Sequence, residues 1–181
     1  MKNRLTTLFL VLIAIAIQSC SVDTPDSYFG KTTLNVNKYI DMGAKDFQRM
    51  IESHDQGALY AKVDGEFIPS DSYESHIKTY KILGIETDIE NIKRLKSTDD
   101  TKKMINASLE VFNFIKSKYE TDYVRIAKLL DDKVDKEKID TAILKFEEQN
   151  LSEFTKKINA LYEIAMPYAK DNGMDVKFLN N

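Results

Sequence analysis

Tryptophan is absent from this 181-residue chain, cysteine occurs once, at position 20, and histidine twice, at 54 and 76. A single cysteine excludes an intramolecular disulfide and any cysteine-rich zinc site. The one metal cluster that can be drawn would join His54 and Asp55 to Glu74 and His76. The plainer expectation is that His54 closes a helix, where the C-terminal end favours a cation, and that His76 lies on a polar turn beside Ile77. No metal and no cofactor are therefore expected. Catalytic motifs are missing as well: there is no phosphate-binding loop, glycine-rich dinucleotide pattern, HExxH or GxSxG, and Ser72, Ser75 and Ser152 have no nucleophile motif around them. The adjacent carboxylates Asp99-Asp100, Asp131-Asp132 and Glu147-Glu148 would point about 100° apart on a helix. They do not form the facing pair that acid–base catalysis needs, and read as solvated charge. These absences argue against an enzyme.

Glycine and proline are also scarce, 6 and 3 residues, which leaves few places where a helix must stop. What is abundant is mixed charge, 26 basic and 29 acidic residues spread along the chain. Such interspersed charge describes the solvated outside of helices, and an acidic balance excludes nucleic acid as a partner.

The N-terminus follows a different logic. Lys2 and Arg4 precede an unbroken apolar run from Leu8 to Ile17, followed by Gln18, Ser19 and Cys20. The run is shorter than the about 20 apolar residues that a spanning helix needs, and its layout is that of an export signal. Ile17-Gln18-Ser19-Cys20 resembles the lipobox of bacterial lipoproteins: an aliphatic residue, then a small residue before the cut, then cysteine. Gln18 departs from the pattern, since a small or aliphatic residue is commoner there. The resemblance implies that residues 1–19 are removed and that Cys20 carries lipid through a thioether. Acylation would also dispose of a lone thiol in an oxidising compartment. Ser21, standing where aspartate would retain a lipoprotein at the inner membrane, implies the outer membrane of a Gram-negative bacterium. Loss of Lys2 and Arg4 leaves 24 basic against 29 acidic residues, a formal charge of −5, in a mature chain of 162 residues, a size suited to one domain.

Ser21 to Thr33 is rich in Ser, Asp, Thr, Pro and Gly, so residues 20–33 are expected to be a lipidated tether and residues 34–181 the folded domain. Helical apolar spacing predicts a first helix over about Asn35–His54, along Val36, Ile40, Gly43, Phe47, Met50 and Ile51. Tyr39-Ile40-Asp41, opening this helix of a lipidated domain, resembles the YiiG-like lipoproteins, themselves of unknown function, and implies no residue roles. Asp64-Gly65 between short apolar runs predicts a small hairpin or a loop insertion over 58–69.

Asp71 and Glu74 have capping-box spacing before a stripe of Tyr73, Ile77, Tyr80 and Leu83, and Gly84 is expected to end or bend that helix. Thr87 and Glu90 repeat the box before a short face of Ile85, Ile89, Ile92 and Leu95. A long helix is predicted from about Asp99 to Asp131, capped by Ser97 or Thr98, with Ile105, Leu109, Phe112, Ile115, Tyr119, Tyr123, Ile126 and Leu130 on one face. A last helix begins after Asp135, stapled by Val134 and Ile139, and should kink or end at Pro167, with Asn172-Gly173 as its stop. The expectation is an all-α domain, an antiparallel bundle of about four helices.

The nine tyrosines and nine phenylalanines are the one excess. Tyr73, Tyr80, Tyr119, Tyr123 and Tyr168 should pack in the core with hydroxyls reaching the rim, while a minority of aromatics line a groove for a partner. Together these features point to a lipid-anchored lipoprotein of the cell envelope, held to the membrane through Cys20, whose helical domain binds a protein partner or serves a structural role without catalysing a reaction. The alternative is a periplasmic immunity or inhibitor protein against a secreted toxin.

Overall fold

The computed structural model of the protein describes residues 23–176 and is mostly helical. Among these residues five helices and one two-stranded sheet follow in chain order. Helix α1 is Pro25–Thr32, a 3-10 turn covers Leu34–Tyr39, and α2 is Ala44–Asp55. Strands β1 (Tyr60–Val63) and β2 (Glu66–Pro69) come next, then α3 (73–93), α4 (102–131) and α5 (Lys136–Asp171). Short links join α3 to α4 and α4 to α5, so these three run alternately up and down, with α4 packed between the other two.

The tether expectation is corrected at its C-terminal half. Thr24 caps α1 by accepting the Ser27 N–H at 3.2 Å, Pro25 occupies the first helical position, and Tyr28, Phe29 and Thr32 are buried. The Tyr28 hydroxyl donates to the Lys96 carbonyl at 2.7 Å, tying α1 to the far end of α3. Few apolar residues occur in this stretch, but two of them are large aromatics, and burying each contributes roughly 1.5–3 kcal/mol.

The predicted first helix is also corrected. Gly43 takes φ +117°, which breaks it into the 3-10 turn and α2, and the changed phase buries Tyr39 and Met42 while Ile40 is left exposed. Any Cβ at Gly43 would meet Glu147 Oε1 at 2.5 Å. The backbone angle favours glycine, and a Cβ there would push the Glu147 carboxylate from its place.

Helix α3 continues through Gly84 without ending there. Its cap is Ser72, whose Oγ accepts the Ser75 N–H at 3.1 Å, one residue on from Asp71. Thr87 is no cap either, since its hydroxyl donates back to the Leu83 carbonyl within the helix. A π-helical turn at Ile77–Lys81 adds a residue to the repeat, so the buried face steps from Tyr73 and Ile77 to Ile82, Ile85, Ile89 and Ile92. Tyr80 is thereby turned outward, against expectation. A second π turn at Tyr119–Tyr123 interrupts α4 but keeps both tyrosines buried.

At the start of α4, Thr98 and Thr101 cap one another, each hydroxyl accepting the other's N–H, at 3.3 and 3.0 Å. Helix α5 continues past Pro167, which sits on its exposed side one turn from the end, and Gly173 at φ +70° supplies the left-handed stop. Asn150, in the middle of the apolar face of α5, satisfies itself by donating Nδ2 to the Phe146 carbonyl at 2.8 Å. The hairpin expectation is met: Asp64 and Gly65 take φ +50° and +92°, the signature of a two-residue type I′ turn, and pair Val63 with Glu66 and Lys62 with Phe67.

Candidate functional site

Two features stand out from the packing: a polar cluster inside the bundle, and an apolar tip at one end of it. Asp46 lies in the first turn of α2 and is buried. It accepts the Tyr119 hydroxyl at 2.5 Å and the Lys81 ammonium at 3.1 Å, while Arg49 stands at 3.7 Å and bonds Asp41 at 2.6 Å. Tyr119 and Lys81 come from the two π turns, so the widened segments of α3 and α4 meet over the same carboxylate. The Tyr119 ring stacks on Tyr123 with centroids 4.0 Å apart, and the Tyr123 hydroxyl accepts the Gly43 N–H at 2.6 Å. Asp88, also buried, accepts from Lys38 at 2.8 Å, the Tyr39 hydroxyl at 3.0 Å and Asn35 at 3.1 Å. Burial, with Asp88 next in effect, pushes the Tyr39 phenol far above its ordinary range, and burial does the same to Tyr119 and Tyr123. These phenols stay protonated, and those of Tyr39 and Tyr119 donate to Asp88 and Asp46.

No buried polar side-chain atom among the described residues lacks a hydrogen-bond partner. The cluster ties α2, α3 and α4 together through Asp46, Lys81 and Tyr119.

Two carboxylates read as solvated charge have other roles. Asp131 caps α3 from the end of α4, accepting the Ser72 hydroxyl and the Tyr73 N–H at 2.8 Å and the Glu74 N–H at 3.0 Å. Glu147 reaches from α5 to the start of α2, accepting the Ala44 N–H at 2.7 Å. Asp99-Asp100 are exposed. The histidines are apart in role: His54 stacks on Tyr73 at 4.7 Å and bonds Asp55 at 3.4 Å, whereas His76 stacks on Tyr80 at 5.1 Å and its Nδ1 donates to the Tyr60 carbonyl at 2.8 Å. Glu74 pairs with Lys78 and Lys128. No group of three metal-binding side chains occurs among the described residues.

The tip is the hairpin with the α3 turn behind it. Five of the eight large hydrophobic side chains exposed among the described residues gather here, Tyr60, Val63, Phe67, Ile68 and Tyr80, each 42% to 52% exposed. Phe67 meets Tyr80 edge-on at 5.5 Å and carries the Lys62 ammonium 5.7 Å from its centroid. The outer edge of β1 is fastened to α3, with the Lys62 N–H donating to Thr79 Oγ1 at 2.8 Å in addition to the His76 bond. Beside Phe67 and Tyr80 runs a groove of about 490 Å³ that also touches Lys38, Lys81 and Gly84.

Direction matters here. The start of α1 lies beside residues 96–101 and the C-terminal end of α5, where Asp23, Tyr28, Lys96 and Tyr168 line a common cleft. The hairpin lies at the opposite end of α3, about 30 Å away for a helix of that length.

Sequence reasoning missed Asp46, Asp88 and Lys81. A signal was available: Asp46 shares a face with Met50, and Asp88 with Ile85, Ile89 and Ile92, and an acid on an apolar stripe needs a buried partner. Ile17, Gln18, Ser19 and Cys20 lie outside the described residues, and no helix among the described residues is long and apolar enough to cross a membrane. Comparison with known protein families, with curated proteins and with solved structures finds no match to this chain.

Proposed function

We propose that this is a lipid-anchored protein of the bacterial cell envelope, tethered through Cys20, whose helical bundle holds a non-catalytic contact surface away from the membrane. The observation that carries the reading is the apolar hairpin tip. Clustered exposed aromatic and branched side chains on a monomer mark an interaction site, because leaving them in water forfeits the stabilisation that burial would bring. Their position supports it. Lipid on Cys20 would sit just before α1 and therefore at the end of the bundle opposite the hairpin. The tip then faces away from the bilayer, where a protein partner can reach it, and is badly placed to enter lipid.

The polar cluster supports the same reading from inside. Its charges and phenols join α2, α3, α4 and the 3-10 turn. That arrangement supplies a stiff support for a surface. Hydroxyl-radical footprinting tests the proposal: Tyr60, Phe67 and Tyr80 should be protected in the lipidated protein within its own envelope relative to the purified protein, while Leu144 should label equally in both. Equal labelling of the tip in both states would remove the surface from the account.

A further inference from the structure

We propose that the free edge of β2 pairs with the same edge of a second copy of this chain, two-fold about Phe67, joining two hairpins into a four-stranded antiparallel sheet. This rests on the reading of the tip as the contact surface and names its partner. A two-residue loop closed by Val63 and Glu66 makes those two a hydrogen-bonded pair. Lys62 and Phe67 are then the next, non-bonded pair, whose N–H and C=O groups point away from the ladder. On β1 that rule is visible, since the outward Lys62 N–H is taken by Thr79. On β2 the outward groups are those of Phe67, and among the described residues nothing meets them.

The edge is short in a specific way. Pro69, the next outward position, has no N–H, and Gly65, two residues back, already turns the chain. The Phe67 N–H is the one donor of β2 on this edge, with the Phe67 and Pro69 carbonyls as its acceptors. A long foreign strand finds a single donor there whatever its length, whereas a second Phe67 across a two-fold axis satisfies both Phe67 groups, each N–H donating to the other's carbonyl. In that register residue 66 of one copy faces residue 68 of the other, so Glu66 lies opposite Ile68 and no like charges are opposed. The two Phe67 rings fall side by side as a cross-strand aromatic pair.

The assembly also stops at two. The outer edge of β1 is closed by Thr79 and His76, so neither outer strand of the joined sheet is open to a third copy. Two copies anchored in one bilayer hold their tips at the same height, and their shared surface raises the effective concentration for a small interface.

The test places the photocrosslinking residue p-benzoylphenylalanine at position 67 of the full-length lipidated protein, co-expressed in its envelope with a copy carrying a different tag. The expected result is an adduct containing both tags at position 67 and its loss when the crosslinker is moved to position 144. A Phe67→Cys variant, with Cys20 acylated, should also form a disulfide dimer on mild oxidation, because the Cα separation of a hydrogen-bonded pair, about 5.5 Å, suits a disulfide. An adduct with a different polypeptide would overturn the second copy while leaving the tip as a contact surface. No adduct at position 67 would overturn both, and a disulfide dimer no more abundant than that of Asp64→Cys would overturn the register.

Discussion

Asp46 holds three neighbours at once, and its charge is the reason they can be there. Replacing it with asparagine keeps the shape but leaves Lys81, mostly withdrawn from water, without its counter-ion. Breaking such a pair costs roughly 3 kcal/mol, or a Tm drop of about 6–12 °C for a domain of this size. Tyr119→Phe removes one hydrogen bond to the same carboxylate and should cost about 1–2 kcal/mol. Thermal unfolding followed by circular dichroism checks both, and an unchanged Tm for Asp46→Asn would show that the cluster does not hold the helices.

His76 gives a pH test at the same scale. Burial holds its imidazole below the ordinary value of 6.5, with Lys81 lowering it further and the Tyr60 bond and Asp46 opposing. The unfolded chain therefore takes up the proton first, so stability is fully present above about pH 6.5 and falls as the pH drops below it. His76→Asn keeps a donor for the Tyr60 carbonyl and removes the proton site. The variant should show a flatter loss of Tm between about pH 7 and pH 5.5 than the natural protein. Parallel curves would contradict the burial argument.

At the scale of elements, what was legible in the sequence was whatever depends on near neighbours. The I′ turn of the hairpin is written in Asp64-Gly65, the stop of α5 in Asn172-Gly173, and the core face of α4 in a stripe that stays buried from Ile105 to Ile126, with only Leu109 half-buried. What failed depends on distant residues. Gly43 looks like a tolerated gap in a helix until Glu147, more than a hundred positions away, is found capping α2 through the space a Cβ would fill. The π turn at Ile77–Lys81 shifts the phase of α3, so that Tyr80 is exposed at the tip while Lys81 reaches Asp46. Asp131 and Glu147, plain surface acids by pattern, become caps only once α3 and α2 arrive beside them.

The Gly43 and Glu147 pairing can be measured as a cycle. Gly43→Ala should destabilise by about 1–3 kcal/mol through backbone strain and the clash, and Glu147→Ala by about 1 kcal/mol through the lost cap. The double variant should lose less than the two losses together, since removing the carboxylate relieves the clash. Strict additivity in chemical denaturation would contradict the shared site.

Across the whole molecule, the two ends of the bundle differ in what they gather. One end gathers the start of α1 with the C-terminal end of α5 and lies where lipid on Cys20 would hold it. The other carries the hairpin, fastened to α3 by His76 and Thr79 and leaving β2 free. Under the proposed anchoring the α1 end would meet the membrane, so the orientation and the reach of the tip would both depend on the Cys20 thiol.

The most direct test of the account is therefore radiolabelled palmitate incorporation with membrane fractionation, comparing the natural protein with Cys20→Ala. The natural protein should take up label, begin at residue 20 and stay with membranes through high-salt washes. Its attachment is apolar and salt screens only charge, so detergent alone should release it. Cys20→Ala should take up no label and remain uncut. A natural protein that is unlabelled and soluble, with an N-terminus other than residue 20, would contradict the anchor and with it the outward-facing tip.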